Sequence, residues 1–234
     1  DKKGLAGRLK VAGQVLTGLI LGSILYFWPD FAGYNTLTTV PFLKQFNIDY
    51  AIFGPDLGWI IYIPVVIFIL TAVSNAVNLT DGLDGLASGI SGITGMALGI
   101  LAYVSGRVDF SNFLDILYLP GIGELTIFAA ALVGSTLGFL WYNTYPAQVF
   151  MGDTGSLALG GAIGALAIMV KKELLLPMLC GVFFMETLSV IIQTSYFKYT
   201  KKKYGEGRRI FKMAPLHHHY EKSGWDEPKI VVRF

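Results

Sequence analysis

The sequence predicts an all-α fold, a polytopic bundle of helices embedded in a lipid membrane. Of its 234 residues, 53% are hydrophobic and only 15% are charged, whereas soluble domains carry about 25% charged residues. The apolar residues also fall into long runs, and a helix needs roughly 20 such residues to cross a bilayer core of about 30 Å. The six predicted spans are 9–28, 57–77, 85–105, 124–142, 155–170 and 174–196.

Prolines and glycines within the spans predict how the helices bend and pack. Pro64 lies inside the second span and should bend it, whereas Pro177 falls in the first turn of the sixth span, where it is tolerated. Cys180 is the lone cysteine and is predicted to pack in an apolar environment. Small residues four apart allow close helix contacts in lipid, and the pairs are Gly18/Gly22, Gly134/Gly138 and Gly160/Gly164.

Basic residues predict the orientation of the chain in the membrane. Two segments, 1–10 and 197–213, are rich in lysine and arginine, and six spans place both on one side, which the positive-inside rule makes the cytoplasm. Their basic residues are Lys2, Lys3, Arg8, Lys10, Lys198, Lys201, Lys202, Lys203, Arg208, Arg209 and Lys212.

The remaining loops agree with this orientation. The loops that would face outward, 29–56 and 106–123, contain only Lys44 and Arg107 as cations. The candidate functional residues all fall in the inward loops, which are 78–84, 143–154 and the segment from 197 to the end.

The first candidate site element is the polar segment 78–85, which reads Asn-Leu-Thr-Asp-Gly-Leu-Asp-Gly and is preceded by Asn75. Unpaired polar groups in lipid cost several kcal/mol each, so this segment should lie at a membrane face. Its carboxylates, Asp81 and Asp84, stand three residues apart beside glycines. That pattern predicts a site for a cation and a phosphorylated ligand. The alternative is a turn in which Asp84 caps the next helix.

The second candidate element is 143–156, which runs from Asn143 to the start of the fifth span. Gly152 and Gly155 flank Asp153 at a predicted helix N-terminus, where free backbone N–H groups favour anions. Mg²⁺ between Asp153 and a phosphate would remove their repulsion. Phe150 is either a platform for a stacked base or an aromatic residue of the membrane interface. The alternative for the whole element is a helix-capping cluster.

The third candidate element contains His217, His218 and His219. Three adjacent histidines on a helix cannot all face one metal, but imidazoles can contact phosphate or transfer protons near neutral pH. Zinc is an alternative, although no second ligand cluster has the spacing of a zinc site. The cations of 198–212 suit a lipid headgroup surface or a nucleotide. The sequence has no Walker loop, no strand-linked GxGxxG and no nucleic-acid-binding motif.

These three elements together resemble the polyprenyl-phosphate N-acetylhexosamine-1-phosphate transferase superfamily. The resemblance is carried by 74–85, 143–156 and 213–221, with Lys3-Gly4-Leu5 and Gly224-Trp225 between and around them. The triple-histidine segment is similar to the muramoyl-peptide branch more than to the N-acetylglucosamine branches. The resemblance implies an inner-membrane enzyme of ten spans. The chain would be a single transmembrane transferase domain over 1–234, a fragment covering spans four to nine.

The same resemblance implies a reaction and its partners. Phospho-MurNAc-pentapeptide would pass from UDP-MurNAc-pentapeptide to undecaprenyl phosphate, giving lipid I and UMP, with Mg²⁺ as cofactor. Membrane lipids and a second copy in a homodimer are further implied partners. The family's adjacent Asp pair would precede Asp1, so we expect the fragment alone to be inactive. The alternatives are a sister transferase that uses UDP-N-acetylglucosamine and a transporter, whose polar residues should lie near mid-span.

The resemblance also implies roles for individual residues. Asp153 and Asn78 are implied Mg²⁺ ligands, and Asp81 is an implied essential acid at the reacting phosphates. The implied uridine pocket consists of Asp84, Asn143 and Phe150. The remaining implied catalytic or substrate-binding residues are Asn75, Gly152, Gln193, His217, His218 and His219.

Overall fold

A computed structural model describes residues 6–31, 33–43, 46–52, 54 and 56–234. The predicted basic residues Lys2, Lys3 and Lys44, together with Asp1, Gly4 and Leu5, lie outside the described residues. The helices and strands are α1 (Gly7–Phe27), β1 (Leu37–Thr39), β2 (Asn47–Asp49), α2 (Trp59–Thr80), α3 (Leu86–Ser105), α4 (Val108–Leu114), α5 (Leu125–Asn143), α6 (Gly152–Met169), α7 (Leu176–Leu179), α8 (Gly181–Tyr204), α9 (Leu216–Glu221) and α10 (Glu227–Arg233).

The predicted helical membrane fold is confirmed. Within the described part of the chain, five helical segments are long and apolar enough to cross a bilayer, and they correspond to α1, α2, α3, α5 and α6. Their bounds differ from the first five predicted spans by a few residues. The most useful difference is at α2, which extends to Thr80 and so carries Asn75 and Asn78 in its last two turns.

The sixth predicted span is not one continuous helix. The segment Glu173–Leu179 and the helix α8 meet at an angle of 83°, with buried Cys180 at the break. Pro177 lies in the first turn of α7, and α8 begins at Gly181. Glycine has more backbone freedom than other residues and so favours a break in the helix. Because hydrophobicity continues across the break, the apolar pattern predicted a single span. The bent pair is a broken span or a re-entrant segment.

Helix α2 lies at the centre of the bundle. It packs against α1, α6 and α8, while α3 packs mainly against α5. The predicted glycine contacts are present in two of three pairs: Gly18 and Gly22 lie against α2 from α1, and Gly160 and Gly164 lie against α2 from α6. The third pair, Gly134/Gly138, has nothing within 4 Å of its Cβ positions, so the predicted contact is not formed with any of the described residues.

We expect Gly160→Ala to destabilise the bundle. An ideal Cβ at Gly160 would fall 2.6 Å from Ser74 Cα and 2.8 Å from Val73 O, both backbone atoms of α2 that can yield only if the helices separate. Overpacking of this kind costs about 1–3 kcal/mol. The thermal midpoint in detergent should fall by about 2–4 °C for each kcal/mol.

Gly161→Ala is the matched control for this change. A Cβ at Gly161 would meet nothing within 4 Å. The change from glycine to alanine raises the helix propensity at both positions equally, and both lie on the same turn of α6. Equal midpoints for the two variants would contradict the close α2–α6 contact.

The end of the bundle opposite the candidate site carries a small antiparallel β1–β2 ladder, which the all-α prediction missed because each strand is only three residues long. Lys171 binds this region to the end of α6. It is 3% exposed, and its Nζ donates to Asn35 O at 2.6 Å and to Tyr62 Oη at 3.3 Å. Burial lowers the pKa of Lys171 to about 8. Lys172 Nζ donates to Thr39 Oγ1 at 2.9 Å.

Candidate active site

The three candidate elements meet at one end of the bundle, where α2 stops and α3 begins. Asp81 follows the last residue of α2, and its backbone N–H donates to Val77 O at 3.1 Å. The Asp81 side chain is partly buried. Burial, followed by the charge of Asp153, raises the pKa of Asp81 above its usual range. Two carboxylates from separate elements therefore lie close enough to repel one another.

Asp153 is the centre of a polar cluster between α2, α6 and α1. Asn78 Nδ2 donates to Asp153 Oδ1 at 2.9 Å and to Ser156 Oγ at 2.9 Å. Lys10 Nζ contacts Asp153 Oδ2. Asp153 is in the first turn of α6, where the helix dipole favours an anion. Its side chain is 56% exposed, so the carboxylate remains accessible to a ligand.

Asp84 and Asn143 hold the second element against the first. Asp84 Oδ2 accepts from Ala147 N at 2.9 Å. The buried Asn143 accepts at Oδ1 from Gly85 N at 3.2 Å and donates from Nδ2 to Val149 O at 2.9 Å. The interpretation of Asp84 as a helix cap is wrong, because the N-cap of α3 is Gly85 with no side-chain hydrogen bond.

The three histidines lie on the short helix α9 and face different surroundings. His217 is 0% exposed. His218 Nδ1 lies 2.6 Å from Glu221 Oε2, and His219 Nδ1 accepts from Lys212 N at 3.1 Å. The expectation that they do not share one metal agrees with this arrangement. His217 is the member that reaches the first element, since a Cβ at Gly82 would fall 2.5 Å from its Nε2.

The other predicted site residues lie around this centre. Asn75 turns toward α1, where its Nδ2 donates to Gln14 Oε1 at 3.0 Å. Gln193 bonds the backbone of Ile210 and Phe211, accepting from both N–H groups and donating to Phe211 O. Phe150 is 74% exposed. Gly152 has a φ of +63°, the left-handed region that glycine enters without steric cost.

Two residues near the site were not predicted to belong to it. The sequence marks Lys10 only as a charge that orients the chain, whereas the structure pairs it with Asp153. Glu186 on α8 is 0% exposed and lies beside His217. A signal for Glu186 was present, because an ionisable residue inside a membrane-length apolar run is by default a functional candidate.

The donor set fits Mg²⁺ better than a transition metal. Within the described residues, no group of three or more His, Cys, Asp or Glu side chains could enclose a metal. Mg²⁺ requires less from the protein, since one or two carboxylates with substrate phosphates and water suffice. Asp153 offers an exposed carboxylate. Asn78 uses its amide nitrogen for Asp153 and Ser156, which leaves its carbonyl oxygen for a cation.

An apolar helical bundle that gathers carboxylates, amides and histidines at one end is an integral membrane protein with a candidate polar site at the ends of its spanning helices. The model of glycosyl transferase family 4 matches residues 1–171. The chain therefore belongs to glycosyl transferase family 4.

Curated relatives of the chain share one name, phospho-N-acetylmuramoyl-pentapeptide-transferase. The chain is 61% identical to that of Salinibacter ruber over 239 residues, 57% identical to that of Chloroherpeton thalassium over 233, and 54% identical to that of Flavobacterium psychrophilum over 266. Each match includes 100% of this chain and, respectively, 62%, 61% and 65% of the relative. The chain thus spans less than two thirds of their length. The resemblance to the muramoyl-peptide branch is confirmed.

Proposed function

We propose that the full-length protein transfers phospho-MurNAc-pentapeptide from UDP-MurNAc-pentapeptide to undecaprenyl phosphate, giving lipid I and UMP. The observation that carries this proposal is the Asn78–Asp153 pair beside Asp81, at one end of an apolar bundle. The relatives' shared name supports the donor class. The site end faces the cytoplasm of a bacterial inner membrane in this proposal, and the chain acts as one transmembrane domain of a homodimer.

Repulsion between anions is the central problem of such a reaction. The acceptor phosphate and the donor diphosphate are both negative, and Asp81 and Asp153 add further negative charge. Asp153 and Asn78 would hold Mg²⁺, which when bound supplies positive charge to the donor phosphates. The chain's own groups can offset the negative charge that Mg²⁺ leaves uncompensated. They are Lys10, the backbone N–H groups at the start of α6 and the buried ring of His217.

The bond changes follow from the products. An oxygen of the acceptor phosphate forms a bond to the sugar-bearing phosphorus. The bond between that phosphorus and the bridging oxygen breaks, and UMP leaves with that oxygen. We predict direct attack rather than transfer through an aspartyl phosphate. UMP exchange into the donor in the absence of acceptor, or a trapped phosphoryl-enzyme, would contradict direct attack.

A groove that begins at Asp153 has the mixed lining expected for a lipid phosphate acceptor. Its volume is about 530 Å³, and it lies between α1, α2 and α6. Lys10 and Asp153 stand among its lining residues, while Gly13, Leu157 and Gly161 contribute apolar or small surfaces. A hydrocarbon chain fits such walls, and a phosphate fits beside Lys10.

The arrangement favours an enzyme over a transporter. Polar residues that line a transport path should lie near the middle of the spans, whereas Asn78, Asp81 and Asp153 lie at helix ends. A sister transferase that uses UDP-N-acetylglucosamine would carry out the same phosphoryl transfer. The two activities are therefore distinguished by which nucleotide-sugar donor is used.

The test is UMP release by the full-length protein in detergent with undecaprenyl phosphate, Mg²⁺ and one of two donors. We expect UMP and lipid product only with UDP-MurNAc-pentapeptide. Turnover only with UDP-N-acetylglucosamine would assign the protein to the sister activity. Folded protein that releases UMP from neither donor would refute the proposed function.

A further inference from the structure

Glu186 is a carboxylate in a place where carboxylates are costly. It lies on α8, is 0% exposed, and has buried Phe183 and Ser189 one helical turn to either side. An ion in an apolar interior is unfavourable by several kcal/mol unless a partner compensates it. Its presence in a membrane-length apolar segment therefore requires a partner.

The partner is His217, which contacts the carboxylate through both its backbone N–H and its ring. The backbone N–H of His217 donates to Glu186 Oε1 at 3.2 Å, with Oε2 at 3.4 Å. The ring Nδ1 lies 3.3 Å from Oε2, and both side chains are essentially inaccessible to solvent. This ring contact is within ion-pair distance but is not a hydrogen bond, and Nδ1 has no hydrogen-bond partner among the described residues. Catalytic contacts in unliganded enzymes are often this loose and tighten when substrate binds.

The opposite edge of the same ring faces the first site element. A Cβ at Gly82 would fall 2.5 Å from His217 Nε2 and 3.1 Å from its Cε1, so the ring lies directly against the Asp81–Gly82 turn. Nε2 has no hydrogen-bond partner among the described residues. A buried polar atom without a partner, next to a turn that carries an acid, is available to a ligand.

We propose that Glu186 is the positioning residue of His217: its carboxylate holds the backbone and the Nδ1 edge of the ring, so that Nε2–H is directed at a phosphate oxygen of the substrate. This inference rests on the proposed function, and it adds a residue that acts through His217 rather than on the substrate. A carboxylate that accepts from Nδ1–H fixes the orientation of an imidazole and stabilises its charged form. The anionic substrate then receives a donor from a ring that has no freedom to turn away.

Glu186→Gln in the full-length protein tests this role. The amide keeps the volume of the side chain but removes the negative charge that stabilises the charged ring, the form in which His217 carries N–H groups at both Nδ1 and Nε2. We expect kcat to fall roughly 100-fold or more while the KM for the donor changes less than about threefold, since a weaker and less firmly oriented donor at Nε2 acts on the reacting step. The pH dependence of kcat should also change shape.

Two further variants make the result specific. Glu206→Gln makes the same replacement at an exposed position beyond α8 and should leave kcat and its pH profile as in the wild type. His217→Gln should lose activity to a similar extent, and the double variant Glu186→Gln/His217→Gln should lose little more, because both changes remove one function.

The outcomes separate this inference from the proposed function. A wild-type protein that releases no UMP refutes the proposed function itself. An active wild type whose Glu186→Gln variant has a normal kcat and pH profile, with at most a lower thermal midpoint, overturns the positioning role. If Glu186→Gln does not fold, Glu186→Asp replaces it, because it keeps the charge but withdraws the carboxylate from the ring by one methylene. A wild-type kcat and pH profile for Glu186→Asp would show that the position of the carboxylate against His217 is not needed, and would overturn the positioning role.

Discussion

Replacing Asp153 with asparagine should abolish Mg²⁺-dependent turnover in the full-length protein, with a loss of roughly 10³-fold or more. The exposed carboxylate of Asp153 is the proposed metal ligand, and Asn78 and Lys10 converge on it. The replacement has almost the same shape, and its amide oxygen can still accept from Asn78. The fold should therefore survive while the charge that attracts the cation is lost. UMP release across an Mg²⁺ titration measures the effect.

Asp109→Asn is the matched control for this variant. Asp109 is an exposed aspartate that pairs with Arg107 at 3.0 Å, away from the candidate site. Its replacement removes the same charge and should leave the Mg²⁺ dependence unchanged. Near-normal activity of Asp153→Asn at ordinary Mg²⁺ concentration would remove Asp153 from the metal site.

The second large effect is expected for Gly82→Ala, which adds one methyl group between two site elements. Its Cβ would lie 2.5 Å from His217 Nε2, closer than any stable contact, so either the ring or the Asp81–Gly82 turn must move. A displacement of about 1 Å at a reacting centre can cost on the order of 100-fold in rate. We expect kcat to fall by about that factor, measured as UMP release at saturating donor.

Gly89→Ala serves as the comparison, because Gly89 lies in the first turns of α3 close to the same loop and its Cβ would meet nothing within 4 Å. In a His217→Ala background, which removes the obstructing ring, Gly82→Ala should have little further effect. Full activity of Gly82→Ala in the wild-type background would show that the ring and the turn are not held together during turnover.

The spans and the grouping of the site loops could be predicted because they depend on local patterns. Runs of about 20 apolar residues determine the helices, and the alternation of spans brings segments 78–85, 143–156 and 213–221 to one end of the bundle. The bend at Cys180 could not be predicted in this way, since hydrophobicity is unchanged across it and the geometry depends on packing against α2.

Individual contacts in the site depend on long-range packing, which is why they were less predictable than the loops. The local pattern at Asp84 is compatible with a ligand-site acid or a helix cap, but it does not reveal that the carboxylate accepts from Ala147 N, 63 residues away. The pairing of Lys10 with Asp153 spans 143 residues, and that of Glu186 with His217 spans 31. The residue types marked these positions as chemical candidates, but only the folded chain assigns their partners.

The narrow contact between Gly160 and Ser74 ties the spacing of two helices to the binding of an ion. Ser74 lies one turn from Asn78 along α2, and Gly160 lies about two turns from Asp153 along α6. The two proposed ligands, Asn78 and Asp153, thus lie on the two helices that meet at this contact. The separation of α2 and α6, which the lack of a side chain at Gly160 permits to be small, therefore influences the distance between the ligand oxygens. The absence of a side chain at Gly160, inside the bundle, therefore sets the spacing of the proposed cation ligands at the helix ends.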